Sequence, residues 1–98
     1  MQLNQKQKRY LRSLAHHRKP VVIIGGAGLT QSVLDEIDST IAHHELIKVR
    51  INASDKASRQ SMINDICAKL NCTLIFNIGH VATFYRRSST PVIDLPKT

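Results

Sequence analysis

The chain has 98 residues, 42% of them hydrophobic, with 14 Lys plus Arg against 7 Asp plus Glu and a formal net charge of +7. That length supports one compact domain, residues 1–98, large enough to fold without a metal or disulfide staple. It leaves no stretch apolar enough to span a bilayer, and so positive a small domain implies an anionic partner.

The opening segment Met1 to Arg9 lacks the apolar run of a secretory leader, so a cytoplasmic protein is expected. Residues 4–17 are predicted as a helix. Leu3, Gln7, Tyr10, Leu11 and Leu14 fall on one side, and Lys6, Lys8, Arg9 and Arg12 on the other. A merely solvated face usually mixes both signs, but residues 1–19 contain no acid, so these four bases are read as phosphate contacts. Arg18 and Lys19 extend the cluster, and Pro20 stops the helix.

The stretch Pro20 to Thr30, PVVIIGGAGLT, organises the chain. Four β-branched residues, Val21 to Ile24, read as a buried central strand with Pro20 at its first position. Gly25 and Gly28 frame Gly26 and Ala27 in a G-x-x-G loop. Thr30 is an expected N-cap, with Leu29 and Leu34 spaced as a hydrophobic staple. A glycine loop beside the positive end of a helix attracts phosphate. The loop lacks the third glycine of a dinucleotide fingerprint and the Lys of a P-loop, but matches the backbone clamp of KH domains. The same glycines would serve a plain strand-to-helix turn.

Residues 31–43 are predicted as a second helix, with Val33, Leu34, Ile37 and Ile41 as its apolar stripe. His43 and His44 at its end point in different directions and are not read as a metal site. Residues 46–51 alternate as a strand, leaving Lys48 and Arg50 on a wet face with Glu45 available to pair with one of them. A third helix follows the turn 52–54 and runs to residue 70, capped by Ser54 or Asp55 and ended by Asn71. Cys67 on its buried stripe and Cys72 are expected as reduced thiols, being too few and wrongly spaced for zinc or a disulfide framework.

Strands are predicted at 73–77 and 81–85, joined as a hairpin through Ile78, Gly79 and His80. Phe76 and Phe84 are assigned to the core, and Tyr85 to the core or the wet face beside Arg86 and Arg87. Residues 88–98 read as an irregular tail with few internal partners. The order α-β-α-β-α-β-β implies an α/β fold: a four-stranded mixed sheet with helices packed mainly on one face.

Several ordered motifs then coincide with one family. Leu14-Ala-His-His17, Lys19-Pro20, Val21 to Gly25, Gly28-Leu-Thr30, His44 to Val49, Ile78-Gly-His80 and Phe84-Tyr-Arg86 follow one another as in the YhbY-type CRM domain. The chain resembles that chloroplast RNA splicing and ribosome maturation domain over about residues 3–87. The resemblance implies a fold similar to the C-terminal domain of translation initiation factor three. It also implies RNA binding through Gly25 to Gly28, and association with precursors of the large ribosomal subunit. Where many members carry a basic or polar residue after the first glycine, this chain has Gly26. The loop therefore brings no charge of its own, and the phosphate attraction is assigned to Arg18, Lys19 and the helix dipole.

The expectation is a monomeric, non-enzymatic protein without cofactor or metal. It docks on rRNA through Gly25, Gly26, Ala27 and Gly28, and through Lys6, Lys8, Arg9, Arg12, Arg18, Lys19, Lys48, Arg50, Arg86 and Arg87. Two other classes remain open. One is a protein-interaction adaptor with a basic face. The other is a small phosphate- or nucleotide-binding enzyme using the glycine loop, which would need a nucleophile, a carboxylate pair or a phosphate-binding Lys beside it.

Overall fold

Asn4 starts the first helix with a reciprocal cap: its side chain accepts from the Gln7 N–H at 2.8 Å, while Gln7 Oε1 accepts from the Asn4 N–H at 3.0 Å. The computed structural model describes residues 2–97. It contains α1 (Gln5–Ala15), β1 (Pro20–Ile24), α2 (Gln31–His44), β2 (Leu46–Ile51), α3 (Lys56–Leu70), β3 (Thr73–Ile78) and β4 (Val81–Tyr85). α1 ends two residues short of expectation. The N–H groups of His16 and His17 turn back to the carbonyls of Ser13 and Leu14, tightening the last turn. Asp55, not Ser54, caps α3 by accepting from the Ser58 N–H at 2.7 Å. Asn71 ends it in the left-handed conformation, as its side chain allows.

The sheet order is β1-β2-β4-β3. β1 and β2 are parallel, while β4 lies antiparallel to both β2 and β3. β1 is therefore an edge strand rather than a central one. Its outward residues Val21 and Ile23 remain 51% and 60% exposed, while Val22 and Ile24 face the core. α2 and α3 cover one face and bury Ile37, Ile41, Ile63 and Ile66 against Val22, Val49 and Phe84. Full burial of such side chains contributes about 2 kcal/mol each. α1 covers part of the opposite face, where Leu11 and Ala15 meet Leu46 and Tyr85. Tyr85 is thus core; burial and the Glu45 charge raise its pKa, with Arg87 opposing. Phe76 is only half-buried, on the α1 face.

The tail has no regular structure, yet it is fixed. Ile93 enters the second core beside Leu11 and Tyr85, and Gln7 donates to the Pro96 carbonyl at 3.1 Å. The anchor is Glu45, fully buried at the C-cap of α2 with φ 64°. Its carboxylate accepts from the N–H groups of Ser88, Val92 and Ile93 at 2.6, 2.8 and 2.7 Å. The sequence left Glu45 to pair with Lys48 or Arg50; the three tail donors claim it instead. Burial opposes its ionisation, but those donors and the Arg87 charge outweigh burial and hold its carboxyl below the ordinary value.

Glu45→Ala should therefore cost about 3 kcal/mol in urea unfolding, because buried N–H donors lose their acceptor. The carboxyl is more acidic folded than unfolded, so its contribution is complete above the ordinary carboxylate range and is lost as pH falls through its lowered value. The stability of Glu45→Gln should fall less steeply than the parent's over that acid range. Equal slopes in pH-resolved urea melts would remove Glu45 as the acid-sensitive group.

Candidate nucleic-acid interface

The loop after β1 is a tight turn. The Gly28 N–H donates to the Gly25 carbonyl at 3.0 Å, and Gly28 sits at φ +76°, where a side chain would be strained. Gly26 needs no such latitude: a Cβ there would meet nothing within 4 Å. Among the described residues, no protein acceptor takes the N–H of Gly26 or Ala27. Directly behind the loop, Thr30 Oγ1 caps α2 by accepting from the Val33 N–H at 3.2 Å. Leu34 lies in the core cluster of that face and Leu29 packs against the same cluster, the placement a hydrophobic staple requires.

A second turn meets this loop. The Asn52 N–H donates to the Ile24 carbonyl at 3.0 Å, drawing the segment between β2 and α3 against the end of β1. Gly25, Gly26 and Gly28 thereby form one wall of a cleft of about 330 Å³ whose other wall is Asn52, Ala53, Ser54, Ser58 and Met62. The first turn of α3 contributes Ser58 to its lining, and the Thr30 cap of α2 stands two residues beyond Gly28. The lining carries amide and hydroxyl groups and no titratable side chain. It can hold an anion by dipoles, and it has no group for acid–base chemistry. The Asp55 cap stands beside this cleft, its carboxyl held below the ordinary value chiefly by the Ser58 N–H and hydroxyl. In sequence Asn52 and Ser54 read only as turn or cap and Ser58 only as part of the third helix; their place in the cleft is visible only once the turn is folded onto β1.

The bases divide into separate groups. Lys6, Arg9 and Arg12 are exposed on α1 and Lys8 is half-buried. The Arg12 guanidinium lies over the Phe76 ring at 4.9 Å, a cation–π contact that fixes its position. Arg50 is exposed on the sheet face. Lys48, on the same face, donates to the Arg18 carbonyl at 2.9 Å, and Arg18 donates to the Leu46 carbonyl at 2.6 Å.

Arg18 and Lys19 do not neighbour the glycine loop. They precede β1 and the loop follows it, with an extended strand of roughly 16 Å between. Arg86 and Arg87 lie at that same far end, because β4 runs antiparallel to β2. Arg86 is committed internally: it binds the Asp38 carboxylate at 2.7 Å and the Leu70 carbonyl at 2.9 Å. Arg18 and Lys19, expected beside the loop, are therefore not its neighbours, and what the loop itself exposes is the unspent N–H groups of Gly26 and Ala27.

Other candidates fall outside the cleft. His43 and His44 have ring centroids 6.2 Å apart, and among the described residues no three His, Cys, Asp or Glu gather as a metal site. The Cys72 thiol donates to the Ile66 carbonyl at 3.7 Å, and the neighbouring Cys67 and Cys72 thiols push each other's pKa apart, Cys67 down to about 7 and Cys72 up. Both thiols are free. Among the described residues no helix is long and apolar enough to cross a membrane.

A sequence model of the CRS1 / YhbY (CRM) domain matches residues 3–86. An "RNA-binding protein" of Haemophilus influenzae is 44% identical over 95 residues, covering 97% of this chain and 96% of its own. A "probable RNA-binding protein" of Pseudomonas aeruginosa is 37% identical, covering 93% and 88% respectively. The solution structure of a hypothetical Staphylococcus aureus protein, described as a candidate RNA-binding protein, superposes with a TM-score of 0.82 at 34% identity. It covers 97% of this chain and 100% of its own.

The two loop glycines should separate on substitution. Gly28→Ala forces a Cβ into left-handed backbone and should cost about 1–2 kcal/mol. Gly26→Ala should stay within about 0.5 kcal/mol of the parent. Urea midpoints check both, and equal costs would mean that the turn relaxes freely around either site.

Proposed function

This chain belongs to the CRS1 / YhbY (CRM) domain family, and on that premise we propose that it is a non-catalytic RNA-binding protein acting in assembly of the large ribosomal subunit. The observation that carries the reading is the Gly25–Gly28 turn, open at the mouth of a polar cleft. In this reading an RNA phosphate sits against the free N–H groups of Gly26 and Ala27. Gly26 lets the sugar–phosphate chain approach because nothing projects there. Arg50 and the exposed Lys6 and Arg9 of α1 extend the contact along the RNA backbone. The neutral polar lining of the cleft favours holding over chemistry. The relatives' names support RNA as the partner rather than an acidic protein.

Sucrose-gradient sedimentation of a cell extract tests the cellular role. The protein should co-migrate with free large subunits or their precursors at low salt. A protein confined to the top of the gradient would overturn the assembly reading.

Gly26→Asp tests the loop. A carboxylate about 4 Å from a bound phosphate costs roughly 4 kcal/mol at an effective dielectric of 20. Even a third of that is about tenfold in affinity. Fluorescence anisotropy with labelled RNA should show at least that loss for Gly26→Asp and a gain for Gly26→Lys, with both melting temperatures near the parent's. Parent-like binding by both variants would reduce the loop to a turn.

Changing Lys6 and Arg9 together to Gln should weaken binding to many RNAs alike. The log–log salt slope should flatten by about 1.4, at roughly 0.7 per single-strand phosphate contact. An unchanged slope would leave that side of α1 a solvated face.

A further inference from the structure

α1 covers only one end of its face of the sheet. The other end is open along one registered row, Ile23, Arg50, Val81 and Ile78; the next row, Lys48, Thr83 and Phe76, is partly covered, with Thr83 fully buried between two half-exposed side chains. Ile23 and Ile78 are 60% and 63% exposed, and with Val21 they make three of the five exposed large hydrophobic residues among the described residues. A hollow of about 300 Å³ runs across these rows, lined by His16, Pro20, Lys48, Phe76, Ile78 and Val81. Arg12 overhangs Phe76 at its rim. The glycine loop continues directly from β1, one residue past Ile24, so its end of the sheet is the open end.

The charge on this face is one-sided. Of the 7 acids, Asp35, Glu36, Asp38, Asp55 and Asp65 belong to α2, α3 or their caps, Glu45 is buried under the tail and Asp94 lies in the tail. None stands in these two rows, where Lys48 and Arg50 do. A second copy docking here through a two-fold axis would bring like charges together over the apolar floor. A segment with flat apolar faces and regularly spaced negative charges fits both features at once. An unpaired RNA strand has that chemistry, whereas a duplex hides its base faces inside the stack.

We infer that the open half of the sheet is a platform for unpaired bases, so that the preferred ligand is single-stranded RNA. Its backbone turns at the glycine loop, and its bases lie on Ile23, Ile78, Val81 and the Arg12–Phe76 stack. Arg12 acts here as a planar surface held in place by Phe76, not as a phosphate contact. The inference rests on the RNA-binding reading and adds the class of RNA and the surface that selects it.

The test is anisotropy with a labelled single strand of mixed sequence and with the same strand annealed into a duplex. The parent should bind the single strand at least about tenfold tighter. Replacing both Ile23 and Ile78 by Ser should cost about tenfold on the single strand, leave the duplex unchanged and leave the melting temperature within a few degrees, since both side chains are already exposed. Ile78→Lys should narrow the preference even though it adds a positive charge. Equal binding of both RNAs by the parent, equal losses on both RNAs, or an undiminished preference in the variants would overturn the platform. A concentration-dependent dimer abolished by the double Ser variant would overturn it in favour of a self-interface. If the parent bound neither RNA, the RNA-binding reading would fall first; Gly26→Asp tests the loop independently of Ile23 and Ile78.

Discussion

The carboxylate of Glu45 is the constraint on which both layers of the molecule depend. Its residue turns the chain from α2 into β2 through a left-handed backbone, with its N–H bonded to the Ile41 carbonyl at 2.8 Å. Its own carbonyl accepts from the Arg86 N–H at 2.9 Å, joining that turn to the chain just beyond β4. Its side chain then gathers three donors of the tail. A buried charge of this kind is tolerable only when it is well satisfied. Here the satisfaction is itself architecture: α2, β2, the end of β4 and the tail meet at one residue, and Ile93 is delivered into the second core beside it.

With that end of the sheet closed by α1 and the tail, the other end is free for other uses. The loop, the polar cleft and the exposed apolar row all gather there. Acidic side chains are absent from the cleft lining and from the two rows, and most of them ride on α2 and α3 across the sheet. One end of the protein is thus spent on holding the fold together, while the other leaves backbone N–H groups, apolar surface and Arg50 exposed. Arg86, bound to Asp38 and the Leu70 carbonyl, belongs to the first group, although in sequence it looks like the second.

What the sequence revealed follows from the range of the interactions concerned. Element order, the Thr30 cap, the Asn71 helix end and the glycine turn are local, set within four or five residues, and all were legible. The uneven distribution of acids was legible too. The run Val21 to Ile24 misled because alternate burial on an edge strand looks, in a β-branched run, the same as burial on both faces. The tail misled for the opposite reason. Its bonds to Glu45 span 43 to 48 residues, and no local pattern announces them. Asn52, Ser54 and Ser58 acquire their place only when the turn after β2 docks on β1, a long-range event of the same kind.

Those separations have a consequence for the order in which the chain can be completed. Glu45 emerges from synthesis well before Ser88, Val92 and Ile93, and a domain folds as a unit, so its three bonds to the tail can close only once residue 93 has been made. Until residues 88–93 arrive, its carboxylate lacks those three donors, and the cluster of Leu11, Leu46 and Tyr85 lacks the side chain of Ile93. Closing so long a loop is entropically slow compared with forming α2 or the β3–β4 hairpin. The tail therefore acts as a latch thrown at the end of folding, and a nascent chain stalled short of residue 88 would present a half-open sheet with a hydrated acid where the finished protein has a sealed one.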